Sequence, residues 1–143
     1  MNKSLDDVYI YLLQRTTRQF KKHSQAVLKE NNVDVTGDQW VIIKRISEQE
    51  GISQKEVANL TYKDPASVTR TLDLLEKKEL VVRQTILSNR RTYALFLTKK
   101  GKELVNKVLP LAVNMRAKGL EGINTNDVEI FQKVLNSIYK NFE

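Results

Sequence analysis

Apolar positions along the chain recur at helical spacing over most of its length and switch to strand-like runs only once. From Leu5 to about Lys29 they fall at Leu5, Val8, Tyr9, Leu12, Leu13, Phe20, Val27 and Leu28, which predicts one long helix. Ser4 is its candidate N-cap, Asp6 and Asp7 suit the positive end of the helix dipole, and Asn31-Asn32 ends it. Thr36-x-x-Gln39 is a capping-box pattern opening a second helix with Trp40, Ile43 and Ile46 inward, which Gly51 stops. A second such pattern, Ser53-x-x-Glu56, opens a short helix through Val57, Ala58 and Leu60. Thr61-Tyr62-Lys63 is then a turn. Asp64 and Pro65 are a helix start, with Pro65, Val68, Leu72 and Leu75 on one face and Ala66, Ser67, Arg70, Asp73 and Lys77 on the other. Short helix, tight turn and a second helix with an exposed polar face is a helix-turn-helix arrangement.

The switch to strands follows. Val81–Leu87 and Thr92–Leu97 are rich in β-branched and aromatic residues around a polar Ser88-Asn89-Arg90-Arg91 tip, which predicts a hairpin. A helix followed by a basic-tipped hairpin reads as a recognition helix and its wing; the plainer reading is an amphipathic helix beside a hairpin with solvated arginines. Beyond it, Thr98 caps another long helix striped by Leu104, Val108, Leu111, Ala112 and Met115, with a kink expected about one turn before Pro110. Gly119 and Gly122 break that helix. A last one, from about Thr125 to Phe142, carries Val128, Phe131, Leu135, Ile138 and Phe142 at coiled-coil spacing. The fold class expected is mainly α with a small β-hairpin: a winged helix-turn-helix core over 36–102, flanked by terminal helices over 5–31 and 103–143. Terminal helices this long exceed what so small a core can cover, so they are expected to build a homodimer; the seam docking on the chain's own first helix is the simpler alternative.

Charge sharpens this picture. The chain of 143 residues carries a net +7. Residues 1–61 contribute +1, residues 62–102 contribute +6, and residues 103–143 contribute none. The excess sits on the helix, hairpin and following turn, as for a surface that binds a polyanion. Charge alone does not separate DNA from RNA or an acidic protein. With 41% apolar and 29% charged residues the composition is that of a globular protein. There is no cysteine, hence no disulfide framework or thiolate metal site. No apolar run has the length of a membrane span and the N-terminus is too polar for a secretion signal, so a cytoplasmic protein without membrane contact is expected. A lone histidine, His23, leaves almost nothing from which to build a nucleophilic triad or a metal site, and no Gly-rich phosphate loop is present. An enzyme, a metal and a cofactor are therefore not expected.

Several motifs in order carry a resemblance: Thr36-x-x-Gln39, Ile52-Ser53-Gln54-Lys55-Glu56-Val57-Ala58, Asp64-x-x-Ser67-Val68-Thr69-Arg70, Leu75-Glu76-Lys77-Lys78, Asn89-Arg90-Arg91 and Leu97-Thr98-x-x-Gly101. Together they resemble the MarR family of bacterial winged-helix regulators, homodimeric transcription factors that often release DNA on binding small aromatic ligands. The resemblance implies a repressor that binds a pseudo-palindromic operator in double-stranded DNA. Arg70 is then a candidate for a guanine edge and Ala66 for a thymine methyl, the alternative for Arg70 being a salt bridge to Asp73 or Glu76. Ser67 and Thr69 suit phosphates, as do Gln54 and Lys55 at a helix N-terminus. Arg91, with Arg90, would enter the minor groove. Arg83, Lys99 and Lys100 are either backbone contacts or solvated. The implied ligand pocket lies between the terminal helices and the winged helix. Tyr9, Tyr11, Leu12, Trp40, Ile43 and Leu111 are candidates to line it, although the plainer reading of each is core.

Two positions depart from the family pattern. Asn89 stands where an aspartate is usual, and Glu79 where a glycine commonly follows the recognition helix. A left-handed Glu79 would cost about 1 kcal/mol. Two other functions remain open: a protein-interaction module for an acidic partner, and a DNA binder without ligand response.

Overall fold

The computed structural model describes residues 2–86 and 89–143, with residues 89–91 described by their backbone alone. A 3-10 turn at Leu5–Asp7 precedes α1 (Tyr9–Glu30), α2 (Gly37–Glu48), α3 (Gln54–Thr61) and α4 (Pro65–Lys77). The hairpin strands β1 (Val81–Ile86) and β2 (Asn89–Leu97) follow, then α5 (Lys99–Gly119) and α6 (Thr125–Asn141). The expected fold class, mainly helical with one antiparallel hairpin, is the one observed.

Local sequence explains most boundaries. Thr36 and Gln39 form the full reciprocal capping box, the Gln39 amide donating to Thr36 Oγ1 at 3.2 Å and the Thr36 amide to Gln39 Oε1 at 3.0 Å. Ser53 Oγ accepts the Glu56 amide at 3.0 Å at the start of α3. Thr98 Oγ1 accepts the Gly101 amide at 3.0 Å at the start of α5. α1 ends in a Schellman motif: Val33 N–H donates to the Leu28 carbonyl at 2.9 Å and Asn32 N–H to Lys29 at 3.1 Å, with Asn32 at φ 57°. α4 ends the same way, Leu80 N–H donating to Leu75 at 3.0 Å and Glu79 N–H to Glu76 at 2.9 Å. There Glu79 takes φ 63°, the left-handed conformation usually given to glycine.

Three expectations need correction. Ser4 and the acidic pair belong to the 3-10 turn, because Val8 is extended at φ −91°, ψ 115° and separates that turn from α1. Pro65 is exposed and leaves the inner face of α4 to Val68, Leu72 and Leu75. β2 begins at Asn89, three residues earlier than propensity suggests, where Asn89 pairs with Ile86 across a slip in register that local propensity does not reveal. α5 runs as one helix across Pro110.

By contacts the chain divides into two compact units, Met1–Leu111 and Ala112–Glu143. In the first, Ile43, Ile46, Val57, Val68, Leu72, Leu75 and Leu95 are wholly inaccessible and form one core with Leu28, Ile42, Val81, Val105 and Val108. Each such aliphatic side chain contributes roughly 1.5–3 kcal/mol on burial. The hairpin pairs Val81 with Leu97 through Thr85 with Tyr93, then slips so that Ile86 faces Asn89. A third short segment joins it: Gly51 N–H donates to the Leu95 carbonyl at 2.8 Å and Leu95 N–H to Ile52 at 2.9 Å. The second unit holds the end of α5, where Ala112 and Met115 are buried, and all of α6, in which no residue is buried; Phe131 and the C-cap Phe142 are 53% and 77% exposed.

The base of the hairpin meets α5 at Gly101. A Cβ placed there would lie 2.2 Å from the Leu80 carbonyl oxygen, a backbone atom with no room to retreat. Gly101→Ala is therefore expected to cost about 3 kcal/mol in urea unfolding. Asp64→Ala, which removes the acceptor for the Ser67 amide at 3.0 Å, should cost about 1 kcal/mol by the same measurement. Glu79→Gly should gain about 1 kcal/mol by relieving the left-handed backbone.

Candidate nucleic-acid interface

α4 is fixed from behind and bare in front. Its buried side chains, Val68, Leu72 and Leu75, are wholly inaccessible, while Ala66, Arg70, Asp73 and Lys77 form an exposed stripe at spacings of three and four. The turn from α3 is made by Tyr62 at φ 57°, which does what glycine does in many such turns. Lys63 reaches back to Asp38 on α2 at 3.4 Å.

Between α3 and α4 runs a short polar chain. Gln54 Nε2 donates to Thr69 Oγ1 at 2.9 Å, and Thr69 Oγ1 donates to the Pro65 carbonyl at 2.9 Å. Two residues expected at phosphates are thus engaged with each other, and they join the two helices. The other amide oxygen, Gln54 Oε1, is buried without a hydrogen-bond partner. Ser67 is half-buried, and its carbonyl accepts the Thr71 hydroxyl at 3.0 Å. Lys55 is exposed at the first turn of α3.

Arg70 was open to two readings, and its suggested ion-pair partners are taken by another residue. The Arg83 guanidinium lies 2.5 Å from Asp73 Oδ1 through Nη2 and 2.6 Å from Glu76 Oε2 through Nε. It also sits 5.6 Å from the centre of the Tyr93 ring, and its side chain is only 18% exposed. Burial alone would lower its pKa, but the hydrogen bonds to Asp73 and Glu76 and their charges carry it above the usual arginine value. Arg83 therefore belongs to a forked, stacked ion pair, and is not one of the free cations suggested by sequence. A signal did exist: Arg83 lies two residues from the buried Val81, on the same face of β1, and so points toward α4.

The side chains of Lys55, Arg70, Lys77 and Lys99 form no hydrogen bond or ion pair with the other described residues. Lys100 Nζ donates to the Lys78 carbonyl at 3.1 Å, and Lys78 Nζ donates to the Asp34 carbonyl at 2.7 Å. The side chains of Asn89, Arg90 and Arg91, the expected wing tip, lie outside the described residues. Among the described residues no His, Cys, Asp and Glu side chains gather as a metal-binding set, and no helix is long and apolar enough to cross a membrane.

The six candidates for a ligand pocket are scattered in character. Ile43 is entirely within the core, Trp40 and Leu111 pack against it, Leu12 is half-buried, and Tyr9 and Tyr11 are exposed. Two open cavities of about 470 and 380 Å³ share Asn32, Val33, Asp34 and Lys78, and none of the six lines either one.

Comparison with known proteins converges on one family. The MarR family model matches residues 35–93, from the residue before the α2 cap to β2. A MarR-family transcriptional regulator from Rhodococcus is 25% identical, with 96% of each chain covered and a TM-score of 0.83. MepR of S. aureus, solved as a DNA complex, is 20% identical, covering 94% of this chain and 98% of its own at a TM-score of 0.87. BpsR of Bordetella bronchiseptica, whose DNA binding is regulated by 6-hydroxynicotinic acid, is also 20% identical, covering 97% and 98% at a TM-score of 0.88. Residues 35–93, which hold the helix-turn-helix and most of the hairpin, thus match the MarR family model, within a fold that the whole chain shares with a MarR-family transcriptional regulator.

Proposed function

We propose that the chain is a cytoplasmic, homodimeric transcriptional regulator, a ligand-responsive repressor rather than an enzyme, that reads a pseudo-palindromic operator. Residues 36–102 form the DNA-binding winged helix, and 5–31 and 103–143 the dimerisation helices. The observation that supports this most is α4: its inner face is locked into the core while Ala66, Arg70 and Lys77 stand free on the outer one, beside most of the chain's excess positive charge. Such a helix fits a major groove, where guanidinium and small side chains find guanine edges and thymine methyls. In a symmetric dimer two such helices would enter successive major grooves about 34 Å apart.

Arg70 is assigned to a base edge, Ala66 to apolar contact, and Ser67, Lys55 and Lys99 to the phosphate backbone. Gln54 and Thr69 join them at the helix N-termini if their mutual bond opens on contact. Arg90 and Arg91 are assigned to the minor groove. The unburied apolar stripe of α6 supports dimerisation, since a second copy would remove Phe131 and Phe142 from water. Ligand response is supported by relatives of the same fold, including BpsR and a CouR solved with p-coumaroyl-CoA. A small aromatic compound that favours one spacing of the two recognition helices would lower operator affinity.

Fluorescence anisotropy on duplex DNA from the region upstream of the coding sequence tests this reading. Affinity should survive non-specific competitor and fall steeply with salt. Arg70→Ala should cost about 1–3 kcal/mol and relax sequence preference, whereas Lys99→Ala should weaken all sequences alike and reduce the salt slope by about one. An Arg70→Ala protein that binds as before would show that the helix is set in a different register. No binding at low salt would favour an acidic protein partner instead.

A further inference from the structure

α4, the helix assigned above to the major groove, carries two carboxylates, Asp73 and Glu76. Asp73 lies in the exposed stripe itself, three residues after Arg70 and four before Lys77, and its side chain is 58% exposed. Glu76, one helical turn on, is 44% exposed. Carboxylates on a surface that meets phosphodiesters oppose binding, because like charges brought together across an interface repel. Both are held by one residue from outside the helix, through the Arg83 contacts of 2.5 and 2.6 Å.

We propose that Arg83 is an electrostatic shield for the recognition helix: it masks Asp73 and Glu76 so that α4 presents a cationic face to DNA, without itself touching the nucleic acid. The inference rests on the DNA-binding reading and extends it to a positioning residue. Three observations support it. The guanidinium uses separate nitrogens for the two carboxylates, an arrangement that a planar fork allows and a single ammonium does not. Its stem is covered and its head is stacked on Tyr93 of β2, so it is held in place before any partner arrives. Its parent strand begins the wing, so one side chain ties helix and wing together and also tunes the helix charge.

The test compares three variants with the wild type on two fluorescein-labelled duplexes, one from upstream of the coding sequence and one unrelated. Arg83→Met keeps a long stem against Tyr93 but uncovers both carboxylates, and should weaken binding to both duplexes on the order of tenfold. The double variant Asp73→Asn/Glu76→Gln should bind at least as tightly as wild type. The triple variant, which adds Arg83→Met to these two, should recover to within about threefold of wild type, since it has no exposed carboxylate left to mask. A triple variant as weak as Arg83→Met overturns the shield and makes Arg83 a phosphate contact or a packing residue. An Arg83→Met protein of unchanged affinity overturns it as well. Failure of the underlying reading looks different: the wild type itself then binds neither duplex at low salt. Thermal unfolding of each variant accompanies the titrations, and a shield requires rescue of binding without matching rescue of stability.

Discussion

The winged helix depends on how closely α5 approaches the end of α4. Thr98 is at the centre of that junction. Its hydroxyl donates to the Glu79 carbonyl at 2.6 Å and accepts the Gly101 amide, while its own amide donates to the Leu80 carbonyl at 3.1 Å. One residue thus closes the hairpin, starts α5 and satisfies the C-terminal turn of α4. Only a residue without a side chain fits where α5 passes over Leu80, so Gly101 and Thr98 act as a pair. Leu75, Leu80, Val81, Leu97, Val105 and Val108, from α4, the hairpin and α5, are all buried in the core that this junction borders.

The exposed side of α4 follows from that arrangement. Because Val68, Leu72 and Leu75 are consumed by the core, the helix has no freedom to rotate about its axis, and the identity of its outer stripe is fixed by helical periodicity alone. The polar chain from Gln54 through Thr69 to Pro65 then fixes its angle to α3. The hairpin is tied to the same helix by Arg83, from a strand that is itself paired along its length. Three independent contacts, one apolar and two polar, hold the candidate reading surface to the rest of the unit.

What was legible in sequence was what depends on near neighbours along the chain. The Thr36-Gln39 capping box, the Ser53 cap, the Asp64-Pro65 start, Val68, Leu72 and Leu75 on the inner face of α4 and the stop at Asn31-Asn32 all follow from groups within four residues of one another. What was hidden needed knowledge of how segments come together. Val8 interrupts the first helix through its extended backbone, which the apolar stripe does not register. Ile42 is as buried as Ile43, because α2 lies deep in the core and is covered over a wider arc than the stripe of Trp40, Ile43 and Ile46 suggested. Ile52 gives a third rung to the sheet only because β2 runs beside it. Arg83 read as a surface cation because its two acidic partners lie seven and ten residues away, across a turn.

Lys78 bridges parts of the chain that are 44 residues apart, donating to the Asp34 carbonyl at 2.7 Å while its own carbonyl accepts from Lys100. The turn between α1 and α2 and the turn after α4 therefore share one fastening. In the language of hydrogen exchange the two helix ends are coupled: opening that releases Lys78 from Asp34 removes a contact that both turns use, and the coupling is worth about the 0.5–1.5 kcal/mol of one hydrogen bond.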